Sequence, residues 1–182
     1  MRVLGVIGSL RSDSHNGRLL RAAAALLPPE AEFVQFTALK AIPPFDEDDE
    51  SDPGAAVEHW RAEITDADAL LFATPEYNAS IPGALKNAVD WASRPFATAA
   101  LRNKPAAVIG ASTGMFGAVW AQAELRKALA AAGARVIERE LPVADVENAF
   151  AANATLAEHD QELALSEILA ELLAQTNPRI AA

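Results

Sequence analysis

Three short apolar runs punctuate the chain, and each stops at a glycine or a polar residue. Residues 3–7 precede Gly8, residues 69–73 precede Thr74-Pro75, and residues 106–109 precede Gly110. Runs of this length without polar alternation predict strands buried on both faces. Residues 32–36 alternate polar and apolar, which predicts a strand nearer a sheet edge, and residues 135–137 begin a fifth. The segments between them carry helical spacing. Residues 17–27 place Leu19, Ala23 and Leu27 on one face before a Pro28-Pro29 stop, and residues 55–65 form a second helix. Pro82 stands where a first helical residue is favoured, and Leu85, Val89 and Ala92 continue an inward face. Residues 118–132 are closed by Gly133, and residues 156–173 form the last helix. Five strands alternating with helices predict right-handed βαβ units, hence an α/β fold with a parallel sheet covered on both faces. Such sheets bind ligands beyond the carboxyl ends of their strands, where strand order reverses. The loops after Ile7, Ala73 and Ile109 are therefore where chemistry is to be sought.

At 182 residues, with 51% hydrophobic and 22% charged residues, the chain reads as a single globular domain over residues 1–182. Its net charge of −10 makes phosphate backbones and anionic lipid poor partners, so neither nucleic acid nor membrane is expected. A small anionic ligand stays open, because backbone N–H groups and one local Arg bind phosphate against a negative global charge. The absence of Cys excludes disulfides, thiolate catalysis and Cys-ligated metal, and the three His lie too far apart in sequence to suggest a metal site. The opening Arg2-Val3-Leu4-Gly5-Val6-Ile7 does not read as a signal peptide, and no apolar run reaches the roughly 18 residues of a membrane span. The cytoplasm is the expected compartment.

The first loop, Gly8-Ser9-Leu10-Arg11-Ser12-Asp13-Ser14-His15-Asn16, joins a buried strand to a helix N-terminus. Free N–H groups there, short donors from Ser9, Ser14 and Asn16, and the permanent charge of Arg11 are what a phosphate monoester of charge about −1.5 to −2 requires. The same residues also fit an ordinary Ser/Asn-rich loop with Asn16 as N-cap. The loop has neither the repeated glycines of a dinucleotide fingerprint nor the Gly-Lys-Ser/Thr of a Walker motif. The second loop, Thr74-Pro75-Glu76-Tyr77-Asn78-Ala79-Ser80-Ile81-Pro82-Gly83, sets an aromatic between prolines, either as a wall for a flat ring or as a plain structural turn. Its backbone amides could donate to a heterocycle and favour a reduced, anionic flavin. In the third, Gly110-Ala111-Ser112-Thr113-Gly114-Met115-Phe116-Gly117, Gly114 and Gly117 permit close backbone approach to a ligand, or simply a tight strand-to-helix turn. All three fall on the same edge of the expected sheet.

Gly8-Ser9-Leu10-Arg11 with Ser14 and Asn16, then Thr74-Pro75-Glu76-Tyr77-Asn78 with Ser80, Pro82-Gly83, Leu85-Lys86-Asn87 and Asp90-Trp91, resemble the NADPH-dependent FMN reductase family. That family includes bacterial chromate, quinone and azo-dye reductases, and the similarity runs over residues 3–129. The resemblance implies a three-layer flavodoxin-like fold, a five-stranded parallel sheet of order 2-1-3-4-5, bound FMN, and a homodimer or homotetramer. It implies Ser9, Arg11, Ser14, Asn16 and Gly17 around the FMN phosphate, Pro75, Glu76, Tyr77 and Asn78 along the isoalloxazine, and Ser112 and Gly114 near the ribityl chain and ring. His15 and Thr113 lie within the same loops and join the cofactor-binding candidates. Where several members carry Gly-Gly-x-Arg, this chain has Gly117-Ala118-Val119-Trp120.

The expected activity is hydride transfer from NADPH or NADH to bound FMN, then electron transfer to a small acceptor such as a quinone, azo dye, metal oxyanion or free flavin, with donor and acceptor alternating at one face. No side-chain acid or base is assigned. The alternatives are an electron carrier without nicotinamide turnover, a reductase that releases reduced FMN, and a non-catalytic phosphate-ligand module. His15 is read as a loop residue rather than a base, His59 and His159 as solvated helix positions, and the 46–50 acidic run as a solvated loop. Trp60, Trp91 and Trp120 are read as core or subunit interface.

Overall fold

The computed structural model describes residues 1–151 and 154–176; residues 152–153 and 177–182 of the expected 1–182 domain lie outside them. The main elements run β1 (Arg2–Ile7), α1 (His15–Ala25), β2 (Glu32–Phe36), α2 (Ala55–Asp66), β3 (Ala69–Thr74), α3 (Gly83–Ala92), β4 (Pro105–Ala111), α4 (Val119–Ala131), β5 (Arg135–Val136), β6 (Pro142–Val143) and α5 (His159–Ala174). All strand pairs are parallel, in the order β2-β1-β3-β4-β5, with β6 also on β4. The strand order reverses beside β1, so the loops leaving β1, β3 and β4 flank one crevice, where open parallel sheets bind their ligands.

Period-two alternation sends neighbouring strand residues to opposite faces. Leu4, Val6, Leu70, Phe72 and Val108 pack with α2, α3 and α4, while Val3, Leu71, Ala73 and Ile109 pack with α1 and α5. Both faces are therefore cored, which is why β3 and β4 are apolar without alternation and wholly buried. The result is three layers, helix–sheet–helix.

The expected fifth strand is broken. Its first piece pairs Arg135 and Val136 with Pro105 and Ala106, and its second pairs Pro142 and Val143 with Gly110 and Ala111. The interruption falls on Glu138-Arg139-Glu140. These charges turn out to solvent, where Arg139 binds Glu167 at 2.6 Å and Glu171 at 3.0 Å, and Glu140 binds Arg126 at 2.8 Å. Pro142 is tolerated because the strand lies at an edge. Helix α1 begins two residues before the expected Gly17, and α5 begins at His159 rather than Leu156, which instead bridges Phe150.

Trp60 and Trp91 are fully buried, and their indole N–H groups donate to the carbonyls of Ala88 and Pro43, each at 2.8 Å. Trp91 is thus core and not available as an interface residue. The 43–52 segment contains a 3₁₀ turn at Glu47–Asp49 and is tied down. Asn87 accepts from the Phe45 N–H at 2.7 Å and donates to the Pro43 carbonyl at 2.8 Å. The Asn87 and Trp91 of the long middle motif therefore pin this loop to α3.

Candidate functional site

Ser14 caps α1 from an extended conformation, at φ −90°, but its hydroxyl makes no capping bond. The first turn of α1 contains no acidic residue, so the positive end of the helix faces the loop uncompensated. Arg11 is exposed, and among the described residues its guanidinium donates only to the Asp13 main-chain oxygen, at 3.3 Å. Ser9 accepts from the Arg11 N–H at 3.3 Å, which folds the loop over the helix end.

Asn16 does not cap the helix. It lies inside α1, buried, and its amide makes a two-way clamp with Ala111 at the end of β4. Nδ2 donates to the Ala111 carbonyl at 2.8 Å, and the Ala111 N–H donates to Oδ1 at 2.9 Å. The clamp holds the helix N-terminus against the third loop, 95 residues away in sequence. With both amide atoms used, Asn16 faces the cleft mainly through its backbone.

Tyr77 and Ser80 form an isolated bridge, with Tyr77 N–H to the Ser80 carbonyl at 3.0 Å and the reverse bond at 3.1 Å. The two residues between them are left-handed, Asn78 at φ 54° and Ala79 at φ 58°, as a type I′ turn demands. This tight turn presents Tyr77 half-exposed at the cleft edge. Glu76 turns the other way. Its carboxylate accepts from the Ala121 N–H at 3.0 Å, capping α4 from outside the helix. Ala118, which is the α4 N-cap at φ 61°, has no side chain able to do so.

The third loop opens with Ser112, whose hydroxyl accepts from the Gly114 N–H at 3.0 Å. A side chain on Gly114 would meet only that hydroxyl, at 3.3 Å, so the protein's own packing leaves this backbone open to a ligand. Gly117 differs from its reading as a ligand-approach glycine. It is buried at φ 55°, and a Cβ there would lie 2.5 Å from the Pro142 backbone, so its role is to seat β6. Gln122, fully buried and missed in the sequence, completes the joint. It donates to the Gly117 carbonyl and accepts from the Leu141 N–H, both at 3.1 Å.

These three loops meet in one cleft lined by Ser9, Arg11, Ser14, His15, Asn16 and, opposite, Pro75, Glu76, Tyr77, Ser112 and Thr113. Ten of the thirteen sequence-derived candidates are therefore brought together. Gly17 borders a neighbouring hollow below Arg11, Asn78 occupies the exposed turn tip, and Gly114 lies exposed beyond Ser112. His15 Nδ1 is buried without a hydrogen-bond partner. An orphaned donor or acceptor, a free Ser14 hydroxyl, an uncompensated helix end and an unpaired Arg form a donor set that fits a phosphate-bearing ligand. Among the described residues no His/Asp/Glu cluster could hold a metal ion.

A doubly wound parallel sheet whose first loop carries donors that fit a phosphate, and whose second loop sets an aromatic at the switch point, defines a flavodoxin-like α/β protein. The match to known proteins narrows this. Residues 1–148 match the family described as NADPH-dependent FMN reductase, and the chain belongs to that family. It is 44% identical over 158 residues to an NAD(P)H-dependent FMN reductase of Pseudomonas aeruginosa, covering 86% of this chain and 84% of that one. It is 44% identical over 126 residues to a 2-hydroxy-1,4-benzoquinone reductase of Burkholderia sp., covering 69% and 68%. The flavoenzyme NAD(P)H:acceptor oxidoreductase of Paracoccus denitrificans superposes with TM-score 0.84 at 33% identity over 96% of each chain. The apo form of an NADH:FMN oxidoreductase shares the fold, at TM-score 0.74 and 19% identity over 99% of this chain and 92% of that one. The protein is an oxidoreductase enzyme that works with FMN and a nicotinamide co-substrate.

Proposed function

We propose that this chain, acting as one domain, binds FMN across the three loops and reduces a small acceptor of the quinone class at the expense of NAD(P)H. One observation carries the reading: Arg11, Ser9, Ser14 and the α1 N-terminus, with no carboxylate in that first turn, share a cleft with Pro75, Tyr77 and Ser112. Arg11 and the helix amides hold the phosphate, because a dianion there neutralises both a cation and the helix end. Pro75, the Tyr77 turn and the Ser112–Gly114 backbone flank the ring, and the Asn16 and Glu76 staples fix the spacing between them. The cofactor supplies hydride acceptance and electron release. The side chains supply position and charge, and none is needed as a proton relay. Quinone is favoured among acceptors because relatives at 40% and 44% identity are named for it. Donor and acceptor take turns at one flavin face, since the three loops frame one cleft between them.

We further infer a homodimer or homotetramer in the cytoplasm; among the described residues no helix is long and apolar enough to cross a membrane. The decisive test is a visible spectrum of purified protein under anaerobic conditions. Bound flavin should bleach on adding NADPH and recover on adding benzoquinone. A colourless protein that cannot be reconstituted with FMN, or a flavin that NADPH and NADH leave oxidised, would overturn the reading.

A further inference from the structure

On the β2 side of the Arg11 loop lies a second hollow, of about 300 Å³, that shares Ser9, Arg11 and Ser14 with the FMN cleft. Arg21, Lys40 and Thr37 complete it, and no Asp or Glu lines it. Arg21 sits one helical turn after Gly17. Helix side chains lean toward the N-terminus, and here Nη1 reaches to 3.6 Å from the point where a Gly17 Cβ would stand. The guanidinium is thus folded back over the glycine toward the positive end of α1. That is the unfavourable end for a cation unless an anion joins it.

Among the described residues Arg21 and Lys40 have no hydrogen bond, ion pair or ring contact, and Arg11 meets only a main-chain oxygen. Every other described cation except Lys127 is engaged, Arg2, Lys86, Arg94, Arg126 and Arg139 by carboxylates, Arg18, Arg61 and Arg102 by aromatic rings, and Lys104 and Arg135 by carbonyls. In a chain of net charge −10, carboxylates are the abundant partner. Three cations that line one hollow, two of them with no partner at all, mark a place where the negative charge arrives from outside. FMN carries a single phosphomonoester, which the Arg11 loop and helix amides accommodate on the cleft side. Arg21 and Lys40 remain for a second. The other molecule the reaction brings is the nicotinamide donor, and NADPH differs from NADH by one phosphomonoester, at the adenosine 2′ position.

We propose that the Arg11–Arg21–Lys40 hollow is a second phosphomonoester site adjoining that of FMN, and that it takes the 2′-phosphate of NADPH, making NADPH the preferred donor. This rests on the FMN phosphate lying at the α1 N-terminus, as read above. Arg21 and Lys40 are exposed, so Arg21→Gln, Lys40→Gln and the double variant should fold.

The test uses FMN-loaded protein in phosphate-free buffer. In the double variant kcat/KM for NADPH should fall roughly 10- to 100-fold, carried by KM, while that for NADH stays within about threefold. By titration calorimetry, adenosine 2′,5′-bisphosphate should bind the wild type roughly 10- to 100-fold more tightly than 5′-AMP, and the variant should lose that difference. Equal binding of the two nucleotides by the wild type, or a parallel fall in NADPH and NADH activity, would overturn the proposal. Loss of FMN from the variant would assign the hollow to the flavin phosphate instead. Inorganic phosphate that competed equally with both donors would make it a general anion site. The calorimetry is independent of flavin content, so a wild type unable to hold FMN would defeat the reductase reading separately.

Discussion

Arg11 reaches the cleft, the hollow below it and the shallow groove beside Tyr77, yet its own partner is a main-chain oxygen in its own loop. Nothing in the fold depends on it, and an incoming phosphate gains a full, weakly engaged charge. Arg11→Ala should therefore leave the far-ultraviolet circular dichroism unchanged while weakening FMN. Losing one charge-assisted bond costs about 1.5–3 kcal/mol, or roughly 10- to 150-fold in affinity. Fluorescence titration of apoprotein measures this, and riboflavin, lacking the phosphate, should bind the wild type much more weakly than FMN. An unchanged FMN affinity in the variant would remove Arg11 from the site. His15 invites a catalytic reading because its buried Nδ1 has no partner. Hydride transfer between stacked rings needs no proton relay, so the atom is better understood as a contact awaiting ligand. His15→Ala should retain kcat within about tenfold, below the 10²–10⁴ contribution of a general acid or base. A loss beyond a hundredfold with FMN still bound would show it to be a proton-transfer group.

Between elements, the cleft depends on side chains that reach from one loop to the backbone of another. Glu76 is the clearest. It belongs to the loop after β3 but caps α4, so it sets the distance between the Tyr77 turn and the Ser112–Gly114 loop. A lost cap costs about 0.5–2 kcal/mol, and in a chain of this size each kcal/mol lowers Tm by about 2–4 °C. Glu76→Ala should show that loss and should also weaken FMN, because the two loops flanking the ring are no longer tied. Glu76→Gln keeps an acceptor oxygen and should restore most of both. If Glu76→Ala lowered Tm without changing FMN affinity, the staple would be a matter of stability alone.

The same elements show what sequence pattern can and cannot convey. The apolar runs at residues 3–7, 69–73 and 106–109 announce β1, β3 and β4 because burial on both faces removes every polar position. Their alternation with helices is enough to place the three candidate loops on one edge. The fifth strand is harder to read, since its pieces are two residues each and owe their place to β4 rather than to any pattern of their own. The direction of Asn16, Glu76 and Gln122 is not legible at all. Each is a polar residue in a loop or helix start, and its partner, at Ala111, Ala121 or Leu141, is chosen by tertiary packing. Loop position and resemblance gathered the candidates; only geometry separates the residues that line the cleft from those that brace it.

For the molecule as a whole, the carboxyl edge of the sheet is unusually apolar on its surface. Leu10 and Tyr77 are each 50% exposed, Phe116 54%, Trp120 48% and Met115 82%, while Trp91 is buried in the core. Phe116 and Trp120 meet edge to face at 4.9 Å, which leaves a rigid aromatic shelf on the rim. An acidic chain gains nothing from displaying such a rim unless something covers it. A second copy is the economical cover, since a standard interface needs about 800 Å² from each partner. Light scattering at micromolar concentration should then give a multiple of the 19.2 kDa chain mass. The double change Phe116→Glu and Trp120→Glu, which touches no buried position, should shift the protein toward monomer. If the partner closes the cleft mouth, the same variant should bind FMN less tightly and turn over NADPH more slowly at equal flavin content. A wild type that scatters as a 19.2 kDa monomer would overturn the assembly and leave the rim as a docking face for the acceptor.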